Sequence, residues 1–144
     1  MELRGFIHSP AVTCTPDNSL AEAAHQMAVH NVGSVIIVDQ EGTIAGVLTD
    51  RDIAVQGMGK RLEPDTPVAE IMTKDVVTLR EDASVFDAAK AMATSACRRL
   101  PVIGMDGALK GVVSLDDLMQ LFAHQTDALA QVVAVESATL ESRF

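Results

Sequence analysis

The chain has 144 residues, a formal net charge of −9, and 48% hydrophobic against 22% charged residues. A chain of this length buries roughly 68–70% of its unfolded surface, so it needs no disulfide or metal to fold, and its composition excludes a disordered polymer. The acidic balance argues against nucleic-acid binding, which requires a basic face.

The predicted elements run as follows. Residues 11–14 are a short apolar segment suited to a brief strand. Ser19-x-x-Glu22 is a capping-box signature, and apolar residues at 20, 23, 24, 27 and 28 continue at helical spacing. SVIIV (34–38), the turn DQEG and TIAGVL (43–48) read as a hairpin, with Gly42 supplying permissive backbone. Thr49 opens a second short helix. GMGKRLEPDTP (57–67), with two Gly and two Pro, reads as a linker. The same order then recurs. Residues 76–79 form a brief strand, and Ser84-x-x-Asp87 opens a helix with apolar positions 85, 88, 89, 92 and 93. RLPVI (99–103), GMDG with Gly107, and ALKGVV (108–113) form a hairpin, and Ser114 opens a second short helix. Residues 125–144 fall outside the pattern, and their ALAQVVAV suits an extra helix for packing or partner contact.

The recurrence is a repeat, the strongest feature of the sequence. At a constant offset of 65, Thr13 meets Thr78, Asp17 meets Asp82, and Ser19 meets Ser84. Met27 meets Met92, Gly42 meets Gly107, Gly46 meets Gly111, and Asp52 meets Asp117. The match extends upstream, GFIHSPAV against EIMTKDVV. The expected fold is therefore α/β (α+β), two β-α-β-β-α units related by a pseudo-two-fold axis. The expected units are residues 5–62 and 68–123, with a tail at 124–144. One unit alone buries only about 60% of its unfolded surface. Two units packed together bury more and leave clefts between them, favoured places for ligands.

Cys14 aligns with Leu79 and Cys97 with Val32, so both cysteines are expected to be small buried hydrophobes. No metal-ligand spacing occurs among His8, His25, His30 and His124, so no metal is expected. No nucleophile has an adjacent base, and GMGKR lacks the full Walker spacing, so the chain is not expected to be an enzyme. No apolar run approaches the roughly 18 residues of a membrane span. MELRGFIHSP lacks the apolar core of a secretory signal, so the expected location is the cytoplasm.

GVLTDRDI (46–53) and GVVSLDDL (111–118), in register within matched units, resemble the GxxT/SxxD signature that closes each CBS motif. RRLPVI (98–103) resembles the second-strand pattern of the same family. Over about residues 5–123 the chain resembles a stand-alone CBS-domain pair, or Bateman module, of bacterial type. The resemblance implies a regulatory module that binds AMP, ADP, ATP or an NAD-like ligand in the clefts. It implies ribose hydroxyls on Asp52 and Asp117, with ribose or phosphate facing Thr49 and Ser114. Phosphate would lie on Arg98 and Arg99, with Arg51 supplying charge to the first site. The base would pack near Val12, Thr13, Ile36, Val77, Thr78 and Pro101. It also implies an unidentified protein partner and a homodimer through helical faces. The Ala and Met residues at 23, 24, 27, 88, 89 and 92 would permit close helix approach. The alternative is a ligand-free dimerisation module. Physical chemistry agrees with the ligand roles. A carboxylate accepts two hydrogen bonds from a vicinal diol, and an Arg fork suits phosphate. Yet Thr-x-x-Asp and Ser-x-x-Asp also serve as plain capping boxes without any ligand.

Overall fold

The computed structural model describes residues 3–141, with side chains described to residue 135. The first repeat comprises β1 (Thr13–Cys14), α1 (Leu20–His30), β2 (Ser34–Val38), β3 (Ile44–Thr49) and α2 (Asp50–Asp52), which continues as a π-helical segment, Ile53–Met58. The second comprises β4 (Leu79–Arg80), α3 (Val85–Ser95), β5 (Arg99–Ile103), β6 (Leu109–Ser114) and α4 (Leu115–Glu141). Two three-stranded sheets result, ordered β1-β2-β3 and β4-β5-β6. In each, the first strand runs parallel to the second and the third antiparallel to it.

The helix starts follow from their caps. Ser19 Oγ accepts from Glu22 N at 3.1 Å while Glu22 Oε2 accepts from Ser19 N at 2.8 Å. Ser84 and Asp87 repeat the pair at 3.0 Å in each direction. These reciprocal bonds satisfy N–H groups that lack helical partners. The linker adds two more acceptors. Leu20 N donates to Thr66 O at 2.9 Å and Ala21 N to Pro64 O at 3.1 Å, which ties residues 64–66 to the start of α1.

The two repeats exchange their leading segments. One core gathers Leu20, Ala23, Met27, Val35, Ile37 and Leu48 of the first repeat, and it is closed by Val68. The other gathers Val85, Ala88, Met92, Leu100, Val102, Val113, Leu118 and Leu121, and it is closed by Leu3. Leu3 and Val68, 65 residues apart, are both fully buried, each in the core of the other repeat. The chain then pairs with the opposite sheet. His8 and Val112 exchange N–H···O bonds at 2.9 and 3.0 Å, and Thr73 and Val47 do so at 2.9 and 3.0 Å. Each repeat thus contributes to the core that folds the other, which a marginal unit of this size needs.

The signature glycines make this exchange possible. A Cβ at Gly46 would lie 2.9 Å from Thr73 O, and one at Gly111 would collide with His8 O. No side chain fits where the clip crosses the strand, so glycine is required by close backbone approach.

Several expectations change in the structure. The first strands are shorter than predicted, and β4 starts one residue later than β1. The reason is Pro101. In the first repeat Ile36 N donates to Val12 O at 3.0 Å, but its counterpart Pro101 has no N–H to offer. The helix after Ser114 is long, because α4 absorbs the ALAQVVAV segment rather than leaving a separate tail helix. Cys14 is buried as expected, and burial pushes its thiol up. Cys97 is exposed instead. It follows Ala96, whose left-handed φ of 53° ends α3 and turns the chain outward. Ala23, Met27, Ala88 and Met92 fill the cores and do not form a helical surface.

Candidate ligand site between the two repeats

The exchange of leading segments builds a cleft across the repeat boundary. A cavity of about 360 Å³ is lined by Pro10, Ala11 and Val12 ahead of β1, by Asn31, Val32, Gly33, Ser34 and Ile36 of the first repeat, and by His8, Arg99, Val112 and Ser114. Its volume falls in the range of small-molecule pockets. Val12, Val32, Ile36 and Pro10 supply an apolar wall, and Arg99, His8, Ser34 and Ser114 supply polar groups.

Ser114 and Asp117 form the polar corner. Asp117 Oδ2 accepts from Ser114 N at 2.8 Å and from Ser114 Oγ at 2.5 Å. Asp117 N donates back to Ser114 Oγ at 3.2 Å, which makes the pair the capping box of α4. Asp117 Oδ1 lies 2.7 Å from His8 Nε2. Burial opposes ionisation of Asp117, but the bonds from Ser114 and His8 outweigh it and hold the carboxyl below its ordinary range. The His8 side chain is 73% exposed and that of Asp117 15%, so solvent reaches the contact from the histidine side.

Arg99 enters the cleft from the second repeat and reaches Gly33 of the first. A Cβ at Gly33 would stand 3.6 Å from Arg99 Nη1 and 3.2 Å from Asp50 Oδ2. No salt bridge engages Arg99 among the described residues, so its fork of donors is available to an anion.

Of the residues named from the sequence, Val12, Ile36, Arg99 and Ser114 line this cavity, with Asp117 directly behind Ser114. Thr13 pairs with Ile36 in β1 and lies outside the lining. Arg98 points elsewhere and pairs with Asp116 at 3.4 Å, both exposed. Arg51 is exposed on α2 and is not part of the cavity. Thr49, Asp52, Val77, Thr78 and Pro101 are not in its lining; at the 65-residue offset they are the counterparts of Ser114, Asp117, Val12, Thr13 and Ile36 at the other capping pair. There Asp52 Oδ2 accepts from Thr49 N at 2.9 Å and Asp52 N donates to Thr49 Oγ1 at 3.1 Å. The position equivalent to His8 is Thr73 and that equivalent to Arg99 is Ser34, so the two capping pairs have different neighbours. His8, Ser34 and Gly33 are not announced by any local pattern, because they meet Ser114 only in the lining of the cleft that the two packed repeats form. Among the described residues no group of three His, Cys, Asp or Glu side chains could hold a metal ion. No helix among them is long and apolar enough to cross a membrane.

The CBS domain family matches residues 3–56 and 68–124. A 17.7 kDa protein of Acidianus ambivalens is 40% identical over 103 residues, 72% of this chain and 62% of that protein. The CBS domain-containing protein YhcV of Bacillus subtilis is 40% identical over 106 residues, 74% of each chain. Among solved structures, the CBS domain pair of protein MJ0100 in complex with 5-methylthioadenosine and S-adenosyl-L-methionine superposes with a TM-score of 0.79. It is 28% identical, and the match covers 87% of this chain and 98% of that one. The two internal copies, the paired sheets and the Gly46 and Gly111 signatures converge with these similarities on one assignment, and the chain belongs to the CBS-domain family as a tandem pair.

Proposed function

We propose that this chain is a regulatory module that takes an adenosyl ligand in the cleft between its repeats and passes the bound state to a protein partner. The observation that carries the reading is the cavity itself. An apolar wall of Val12 and Ile36 faces a polar end where Arg99 and Ser114 lie side by side in the lining. A flat base suits the wall, and a ribose or phosphate suits the donors. Asp117 is the ribose acceptor in this reading. Its Oδ1 exchanges the exposed His8 for a ribose hydroxyl. The corner at Thr49 and Asp52 offers a second, weaker place, because neither an Arg nor a His stands at the matching positions 34 and 73. The MJ0100 pair, with two adenosyl compounds bound, supports the ligand class. The cation at Arg99 favours AMP, ADP, ATP or an NAD-like ligand over an uncharged one. Homodimer formation and a cytoplasmic location belong to the same reading.

The test is a thermal-shift panel of AMP, ADP, ATP, NAD, S-adenosylmethionine and GMP on nucleotide-free protein. A ligand at 100 times its dissociation constant adds about 2.7 kcal/mol, or roughly 5–10 °C for a chain of this size. An adenosyl-selective shift that Arg99→Ala and Asp117→Ala abolish supports the reading. No shift with any compound replaces it with the ligand-free dimerisation module.

A further inference from the structure

The carboxylate assigned above to the ribose does not face the cleft freely. Asp117 is absent from the cavity lining, whereas its two side-chain partners, Ser114 and His8, both belong to it. One oxygen is committed to the capping box, where Oδ2 accepts from Ser114 N and Ser114 Oγ at 2.8 and 2.5 Å. The other, Oδ1, lies 2.7 Å from His8 Nε2. The imidazole thus covers the oxygen that is left to accept from outside. His8 N and O are paired with the backbone of Val112 at 2.9 and 3.0 Å, so turning the ring off Asp117 needs rotation about side-chain bonds and breaks no backbone bond. The first capping pair has no such cover. Thr73 stands at the position of His8 and exchanges the same backbone bonds with Val47. Among the described residues Asp52 is bonded only to Thr49.

We infer that His8 is an internal competitor of the ligand, holding Asp117 in the empty cleft and holding it more firmly when the imidazole is protonated. The inference rests on the ligand reading and adds its regulation. A carboxylate offers acceptors only, so a neutral imidazole bonds it in just one tautomer, with the proton on Nε2. The imidazolium carries protons on both nitrogens and adds a charge, which strengthens the bond. A histidine side chain changes charge between about pH 5 and 8. Asp117 of α4, in direct contact, favours the charged ring, and Arg99 of β5, in the same lining, opposes it. Asp50 of α2 approaches Arg99 over Gly33. The other charges near the clip are engaged elsewhere, Arg98 with Asp116 at 3.4 Å and Lys110 of β6 with Asp106 at 3.3 Å, while Arg4 of the clip itself acts on Asp82. The contact sets the sign: ligand and proton oppose each other at this corner, and by linkage each weakens the other equally.

The test is calorimetric titration of adenosine into nucleotide-free wild type and His8→Thr, from about pH 5.5 to 8. Adenosine stays uncharged over this range and brings no phosphate to Arg99. His8→Thr installs the side chain that already accompanies the same backbone pairing at residue 73, and His8→Ala is a second variant with the same expectation. Both variants are expected to bind about threefold to tenfold more tightly than the wild type at the acid end, the range for a charge pair this exposed. Wild-type affinity is expected to rise with pH and that of the variants to stay level. Equal affinity overturns the competitor. So does weaker binding by the variants, which would make His8 a ligand contact, and so does a pH slope that persists without His8. Adenosine bound by none of the three proteins also overturns it, and the nucleotide panel above then decides the ligand reading by itself.

Discussion

Replacing Gly111 by Ala tests the exchange of leading segments more directly than any core mutation. The added methyl would collide with the carbonyl oxygen of His8 and lie 2.6 Å from Ile7 Cγ2. The oxygen is backbone and cannot rotate away, so the clip must move. Overpacking of this kind costs about 1–3 kcal/mol. Moving the clip also endangers two hydrogen bonds, His8 N to Val112 O at 2.9 Å and Val112 N to His8 O at 3.0 Å, each contributing about 1 kcal/mol. The expected loss is therefore about 2–4 kcal/mol, or roughly 10 °C in Tm. Gly46→Ala should cost less, because one of its two close neighbours is the flexible thioether of Met72, with Sδ at 2.8 Å. Gly5→Ala, where nothing lies within 4 Å of the new Cβ, should be near neutral. The assay is urea denaturation of all three variants. A loss at Gly111 below about 0.5 kcal/mol, within the scatter of ordinary surface changes, would refute the argument that the clip dictates this glycine.

Two further outcomes follow from local geometry. Ala96 ends α3 at φ 53°, a conformation that costs an L-residue about 1–2 kcal/mol, so Ala96→Gly should raise Tm by a few degrees in differential scanning calorimetry. Asp117, held below its ordinary range, binds its proton less readily folded than unfolded. Its contribution to stability is complete above the unfolded carboxylate value of about 3.9 and is lost as pH falls through the folded one. His8→Ala removes one of the bonds that lower it. The Asp117 titration, followed by carboxyl carbon NMR, should move up, and acid unfolding should begin at higher pH. An Asp117 titration unchanged by His8→Ala would mean that the contact does not hold in solution.

Much of this architecture was legible before any coordinates. The 65-residue offset gave both units, because a repeat in sequence is a repeat in local interactions. The capping boxes at Ser19, Thr49, Ser84 and Ser114 were readable because each is closed within four residues. The hairpins SVIIV–TIAGVL and RLPVI–ALKGVV were readable because turn chemistry and alternation are equally local. The pairing of Thr49 with Asp52 and of Ser114 with Asp117 was readable for the same reason.

The tertiary structure alone decided which residues share a cleft. His8 and Asp117 lie 109 positions apart, and no local pattern announces that the segment before β1 crosses to the opposite sheet. That crossing is set by two buried side chains, Leu3 and Val68, each seeking the core that the other repeat builds. It sends Arg99 across Gly33 while Arg98 turns away to Asp116. It leaves Cys97 exposed beyond a left-handed Ala96, although its aligned partner is apolar. Periodicity and capping are properties of neighbours along the chain, and the sequence determines them by itself. The polar corner of the cleft depends on long-range burial, which only the packed pair of repeats decides.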